Sequence, residues 1–112
     1  QFWTQPSLFD SVIWPTIYNR VEAFGDIKVI SSWAGLYEYN TWDQNAIIGP
    51  SCEVENLVFC NGFSGHGLQQ SPAAGRAVSE MIEFGEYRSI DLSVFRPSRF
   101  EEGVKVKEVG IV

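Results

Sequence analysis

Six residues, Gly62-Phe63-Ser64-Gly65-His66-Gly67, stand between a short apolar run, Leu57 to Cys60, and a stretch of helical periodicity, Leu68 to Phe84. A strand, a glycine loop and a helix in this order bring backbone N–H groups and the positive end of a helix to one point. Three glycines let the backbone approach a flat or anionic ligand closely. The chemistry favoured there is that of a ligand atom that is, or becomes, negative. His66 is the single histidine of the chain. It reads either as a loop residue packing near the helix start or as a group placed beside a ligand.

The loop has the form GxxGxG. The dinucleotide fingerprint is GxGxxG, followed about twenty residues later by an acidic group that holds a ribose. Asp91 lies too far along the chain and follows no strand end. The loop is therefore not the cradle of a pyrophosphate. By spacing alone it fits either a ligand-facing turn or a tight strand-to-helix connection.

The elements that must hold this loop follow from periodicity. Leu8, Phe9, Val12, Ile13, Ile17, Val21 and Phe24 recur at helical spacing. Pro15 either kinks that helix or begins a second one, and Gly25 is placed as its C-cap. From Asp26 to Tyr39 the pattern alternates as in a strand. Asn40 to Asn45 is polar and turn-like around Trp42, and Ala46 to Ile48 resumes a strand that ends at Gly49-Pro50, so a hairpin is expected. Ser51 to Asn56 is loop, and Leu57 to Cys60 is a buried strand. The helix from Leu68 to Phe84 places Ala74, Ala77, Val78, Met81 and Ile82 on one face, with Gly85 closing it. Residues 86–112 are less regular, with Val104 to Val112 an extended tail. Trp14, Trp33 and Trp42 can stack on a ligand, although core packing is the more frequent use of such rings.

At 112 residues the chain is long enough for one domain with a modest core. The net charge of −6 disfavours nucleic acid and anionic lipid as partners. Cys52 and Cys60 show neither a disulfide framework nor metal-ligand spacing. No apolar stretch is long enough to span a bilayer, and the N-terminus lacks the features of a signal peptide. The chain starts at Gln1 without an initiator Met, so a fragment or processed chain is expected, with any targeting segment upstream.

The run Gly62-Phe63-Ser64-Gly65-His66-Gly67-Leu68-Gln69-Gln70-Ser71-Pro72 resembles the C-terminal flavin loop of the D-amino-acid oxidase-like superfamily. That superfamily includes sarcosine oxidase, dimethylglycine dehydrogenase and glycine oxidase. Trp33-Ala34-Gly35-Leu36-Tyr37 and Asp43-Gln44-Asn45-Ala46-Ile47-Ile48-Gly49-Pro50 resemble its last substrate-domain strands, in the same order and at similar spacing. The ending, Ile90-Asp91-Leu92-Ser93 and Arg99-Phe100, is most similar to a mitochondrial branch associated with respiratory complex I assembly.

The resemblance implies an α+β fragment. Residues 1–50 would be the end of the substrate domain, a helix plus a β-hairpin. Residues 51–112 would be the C-terminal strand–glycine loop–helix of the Rossmann-like FAD-binding domain and a tail. It implies FAD as cofactor, held by Gly62, Phe63, Ser64, Gly65, His66, Gly67, Leu68 and Gln69 near the pyrimidine edge of the flavin. A helix N-terminus with aimed N–H donors stabilises the negative charge that a reduced flavin gains at that edge. It places Tyr37 and Gln69 at the substrate and His66 in a catalytic position. Gln69 stands where sarcosine oxidases carry a lysine for the substrate carboxylate, and a neutral amide gives no charge-assisted bond there. Gly35 stands where some sarcosine oxidases attach flavin through cysteine, so the cofactor is expected to be non-covalent at this segment.

The implied function is oxidation of a C–N bond of an amine or amino acid, with a hydride equivalent passing to FAD. The alternative is a non-catalytic FAD-binding scaffold or assembly factor for the respiratory chain, and a third reading is an independent binding module. The implied location is mitochondrial, on the matrix side, in a eukaryote and cytoplasmic otherwise. The Rossmann GxGxxG unit is absent from the chain, so the missing N-terminal part of the same protein is an expected partner. The chain alone should be inactive, expose apolar surface where that part belongs, and be able to self-associate.

Overall fold

The computed structural model describes residues 3–106 and 108. They fall into two units, one ending at Leu36 and the other starting at Tyr37.

In the first unit Pro6 opens a helical run in three parts: an α turn α1 (Pro6–Leu8), a π-helical stretch (Phe9–Ile13) and α2 (Trp14–Arg20). The widened stretch comes immediately before Pro15, which has no N–H for the Ser11 carbonyl and whose ring would press on it. Hydroxyls supply extra donors along the run: Ser11 Oγ donates to Ser7 O at 2.7 Å and Thr16 Oγ1 to Val12 O at 2.6 Å. Of the two readings of Pro15, a place in the first turn of a new α segment is the one observed.

Gly25 is not the helix cap. Val21 ends α2 by turning extended, and Gly25 sits inside a 3-10 turn, Glu22–Asp26. That turn folds back on the helix: Trp14 Nε1 donates to Phe24 O at 3.0 Å, and Trp14 stacks on Tyr18 with ring centres 5.9 Å apart. A Cβ at Gly25 would come within 3.1 Å of the Tyr18 ring, so the glycine serves this close approach. The expected strand from Asp26 to Tyr39 does not form. Its alternating side chains have no ladder partner among the described residues, and Ile30, Trp33 and Leu36 are almost fully exposed. A pleat without a partner strand gains nothing from alternation.

The hairpin lies further along the chain, in the second unit. Strand β1 (Ile47–Pro50) pairs antiparallel with β2 (Val58–Asn61), in a register that sets Ile47 opposite Asn61 and Pro50 opposite Val58. Ser51 closes the connection. Its N–H donates to Leu57 O at 2.8 Å, and its hydroxyl accepts from the N–H groups of Glu53 and Val54. The long helix α3 (Gly67–Phe84) then packs on the pair, and Gly85 (φ 74°) caps it by donating to Met81 O. Pro72 has no N–H to offer the Leu68 carbonyl, and the hydroxyl of Ser71 donates to that oxygen at 3.0 Å instead.

The core is small: Ala46, Ile48, Phe63 and Ala74, with Val78, Leu92 and Phe95 packed against it. The buried side of α3 is formed by Ala74, Ala77 and Glu80, with Met81 and Gly85 beside Pro50, Leu57 and Val58; Ile82, expected on the buried face, is rotated away from it and exposed. Glu80 is buried there instead. It accepts from the N–H groups of Arg88 (2.8 Å) and Ser89 (3.0 Å) and from the Ser89 hydroxyl, which draws the following turn back onto the helix. Two 3-10 turns, Ser93–Phe95 and Pro97–Arg99, complete the described fold. No helix among the described residues is long and apolar enough to cross a membrane.

Candidate functional site

Strand β2 delivers the chain into the loop, and positive φ angles turn it into α3. Gly62 has φ 72°, Ser64 50° and Gly65 91°. His66 N–H donates to Phe63 O at 3.0 Å. A four-residue turn with both central residues at positive φ has the signature of type I′. Glycine is required at Gly65, where a Cβ would also meet the Tyr37 ring at 3.3 Å. Ser64 holds a left-handed conformation that few non-glycine residues adopt. Its hydroxyl accepts from Asn40 N–H at 3.0 Å and donates to Gly62 O at 3.3 Å.

His66 occupies the N-cap of α3 without a side-chain capping bond. The N–H groups of the first turn have no carbonyl one turn earlier. They face the space in front of the loop with the positive helix end behind them. Tyr37, Ser64, Gly65, His66 and Gln69 line a cleft of about 160 Å³ at this point. The structure thus brings together both residues expected at the substrate, the expected catalytic histidine and two of the loop residues. Ligand pockets usually enclose about 300–1,000 Å³, so the cleft by itself is smaller than a ligand pocket.

The other loop residues divide by role. The Phe63 side chain is buried in the core, so only its backbone is available to a ligand. Gly62 lies against Ile47 and Asn40. Gly67 has no positive φ and only ordinary contacts near its missing Cβ, so local packing does not demand a glycine there. Leu68 at the helix start is largely exposed. Gly35 has nothing within 4 Å of where a Cβ would stand. Trp14 and Trp42 pack against neighbours, Trp42 with Phe100 on one side and Lys105 over its ring, whereas Trp33 is exposed.

Sequence reasoning missed a polar scaffold behind the loop. Arg99 and Asp43 form a buried ion pair, Nε to Oδ2 and Nη2 to Oδ1, each at 3.0 Å. Burial pushes the Asp43 carboxyl up. The bonds from Arg99 and from the N–H groups of Val106 and Asn45 outweigh it and hold the carboxyl below its ordinary range. Asn40 links this pair to the loop: its Nδ2 donates to Asp43 Oδ1 at 2.9 Å and to Asn45 O at 2.6 Å. Glu38 Oε1 accepts from Phe63 N–H at 3.2 Å. The polar turn from Asn40 to Asn45 was visible in the sequence, but its partner in the tail was not.

A cleft of about 760 Å³ also lies within the first unit, lined by Phe9, Ile13, Ile27, Val29 and Trp33 among others. Asp10 and Lys28 also line it, but none of the glycine-loop residues, nor Tyr37 or Gln69, does. Cys52 and Cys60 are free thiols.

Comparison with known proteins gives the family. Residues 5–81 match the model of the DAO family, described as FAD dependent oxidoreductase. The chain is 53% identical over 100 residues to FAD-dependent oxidoreductase domain-containing protein 1 of Bos taurus, covering 89% of this chain and 21% of that protein. It is 49% identical over 88 residues to the Drosophila melanogaster homolog, covering 79% of this chain and 17% of the relative. It is 38% identical over 61 residues to the peroxisomal sarcosine oxidase of Homo sapiens, covering 54% of this chain and 15% of that protein. The chain thus spans about one fifth of the length of the FAD-dependent oxidoreductase domain-containing relatives it matches. No solved structure matches it significantly. With a family model covering more than half of its residues, the chain belongs to the DAO family of FAD-dependent oxidoreductases.

Proposed function

We propose that this chain supplies the flavin-facing loop and one wall of the substrate pocket in an enzyme that oxidises a C–N bond of an amine or amino acid. The observation that carries the reading is the convergence of Tyr37, Ser64, Gly65, His66 and Gln69 on one cleft in front of the first turn of α3. Positive φ at Gly62 and Gly65 turns the backbone into that cleft, with Gly65 under the Tyr37 ring. FAD, when bound, supplies an acceptor for a hydride equivalent. The N–H groups of the first helical turn favour negative charge beside them. Tyr37 and Gln69 orient the substrate from the sides, and His66 stands within the cleft as the group able to hold or release a proton. The name of the sarcosine oxidase relative supports the amine class. Gln69 brings an uncharged amide to the cleft, so a substrate carboxylate would be held there by neutral hydrogen bonds.

The exposed Ile30, Trp33, Leu36 and Leu68 favour a piece of a larger enzyme over an independent module with a polar surface.

The test is the visible absorbance spectrum of the full-length protein, before and after anaerobic addition of N-methyl amines and amino acids. Bleaching of a flavin band by one of them is the expected result and names the substrate class. A flavin band that no amine bleaches moves the assignment to an FAD-binding scaffold. Absence of any flavin overturns the role given to Gly62–Gly67.

A further inference from the structure

The segment from Tyr37 to Asn40 meets the glycine loop residue by residue. The Tyr37 ring covers Gly65, and Glu38 Oε1 accepts from Phe63 N–H. Asn40 N–H donates to Ser64 Oγ, and the Asn40 Cβ lies 3.5 Å from the place a Cβ would take at Gly62. Asn40 is itself fixed on every polar atom of its side chain. Nδ2 donates to Asp43 and to Asn45 O, and Oδ1 accepts from Trp42 N–H at 3.0 Å. Behind it stands the Asp43–Arg99 pair, whose Nη2 also reaches Asn45 O at 3.3 Å.

Ser64 explains what this chain of bonds is for. A glycine would adopt φ 50° without strain, yet a serine is present and is almost fully buried. Its hydroxyl joins Asn40 to the Gly62 carbonyl, one bond accepted and one donated. The bonded series Arg99, Asp43, Asn40, Ser64 and Gly62 therefore ends on the loop backbone.

We infer that Ser64 and Asn40, backed by Asp43 and Arg99, are positioning residues that set the direction of the loop N–H groups toward the flavin. The inference rests on the flavin reading of the loop. Donors aimed at the place where charge develops stabilise the reduced form more than the oxidised form. Loosening them should lower the reduction potential of bound FAD as well as its affinity.

The experiment uses the full-length protein with Ser64→Gly, which keeps the backbone freedom and removes only the hydroxyl, and with Asn40→Ala. Three quantities are read: FAD dissociation constant, flavin reduction potential and melting temperature of the apoprotein. The expected result for Ser64→Gly is about tenfold weaker FAD binding and a more negative potential, with apoprotein melting close to the parent. Asn40→Ala should shift the potential in the same direction. An unchanged potential in both variants overturns the inference, whether or not melting falls, because the residues are then only structural. A parent protein that binds no FAD sinks the flavin reading itself, and this inference with it.

Discussion

Arg99 Nε and Nη2 lie 3.0 Å from Asp43 Oδ2 and Oδ1, joining positions 56 residues apart, and both side chains are excluded from solvent. The pair is surrounded by further donors and acceptors. Nη1 of Arg99 donates to Phe95 O and Arg96 O, and the Val106 N–H donates to Asp43 Oδ2. A buried charge pair is sustained only when the remaining polar atoms are satisfied in this way.

Removing one partner should leave the other charge buried and unpaired. Asp43→Ala or Arg99→Leu is expected to destabilise the fold by about 3–5 kcal/mol. The double change should recover part of that loss. Urea denaturation read by tryptophan fluorescence checks it, and a single-variant loss below about 1 kcal/mol would refute the pair's role as the anchor of the second unit.

Acid should weaken the end of α3. The Ser89 hydroxyl, then the N–H groups of Ser89 and Arg88, pull the Glu80 carboxyl from its ordinary 4.5 down to about 2. A carboxyl with a lower pKa folded than unfolded contributes fully above the unfolded value. That contribution is lost as pH falls through the window toward about 2. Glu80→Gln is therefore expected to flatten the pH dependence of the denaturation midpoint between about pH 5 and pH 2. Asp43 is also held low and leaves a residual slope. Identical pH profiles for parent and variant would contradict the assignment.

Gly65 and Gly67 should respond differently to alanine. At Gly65, φ 91° and the Tyr37 ring both oppose a Cβ, so Gly65→Ala should cost about 1–3 kcal/mol in stability. Gly67→Ala meets only ordinary contacts at the start of a helix and should leave stability unchanged or slightly raised. The added methyl group of Gly67→Ala would face the Phe63 side chain and not the cleft, so FAD binding should be unchanged there and weakened by Gly65→Ala. Fluorescence titration of the full-length protein with FAD separates the two effects.

Gln69→Lys puts a cation into the cleft beside Tyr37 and His66. Under the amine-oxidase reading, the variant should lower KM for amino acids relative to amines without a carboxylate, by about tenfold. Equal KM changes for both classes would remove Gln69 from the substrate wall.

Local signals located the glycine loop and the elements on either side of it. A short apolar run located β2, although Leu57 and Cys60 are exposed where a buried strand was expected, and glycines at the required offsets marked the loop. The helical period ran from the loop to Gly85, where a glycine at positive φ does close the helix. These features were legible because each depends on residues within one turn or one strand of one another. Pro15 and Ser71-Pro72 belong here too, since the remedy for a proline inside a helical run is local.

The errors have one origin. Ile27 to Tyr39 alternates like a strand, but a strand exists only with a partner, and none is paired with it among the described residues. Gly25 looked like a cap because Val21's extended turn and the approach of Tyr18 cannot be read from spacing. Ile82 lies one and two turns beyond Val78 and Ala74, but packing centres the buried face on Ala77 and Glu80, and Ile82 falls outside it.

The sequence by itself determined the glycine loop, the helix behind it and, through resemblance, the family to which they belong. Only the tertiary structure decided that a serine at positive φ, an asparagine in a polar turn and an arginine near the tail form one bonded series behind that loop. Periodicity and turn chemistry record interactions between near neighbours along the chain. The Asp43–Arg99 pair depends on two turns distant in sequence being brought together by packing on a shared core of Ala46, Ile48, Phe63, Leu92 and Phe95.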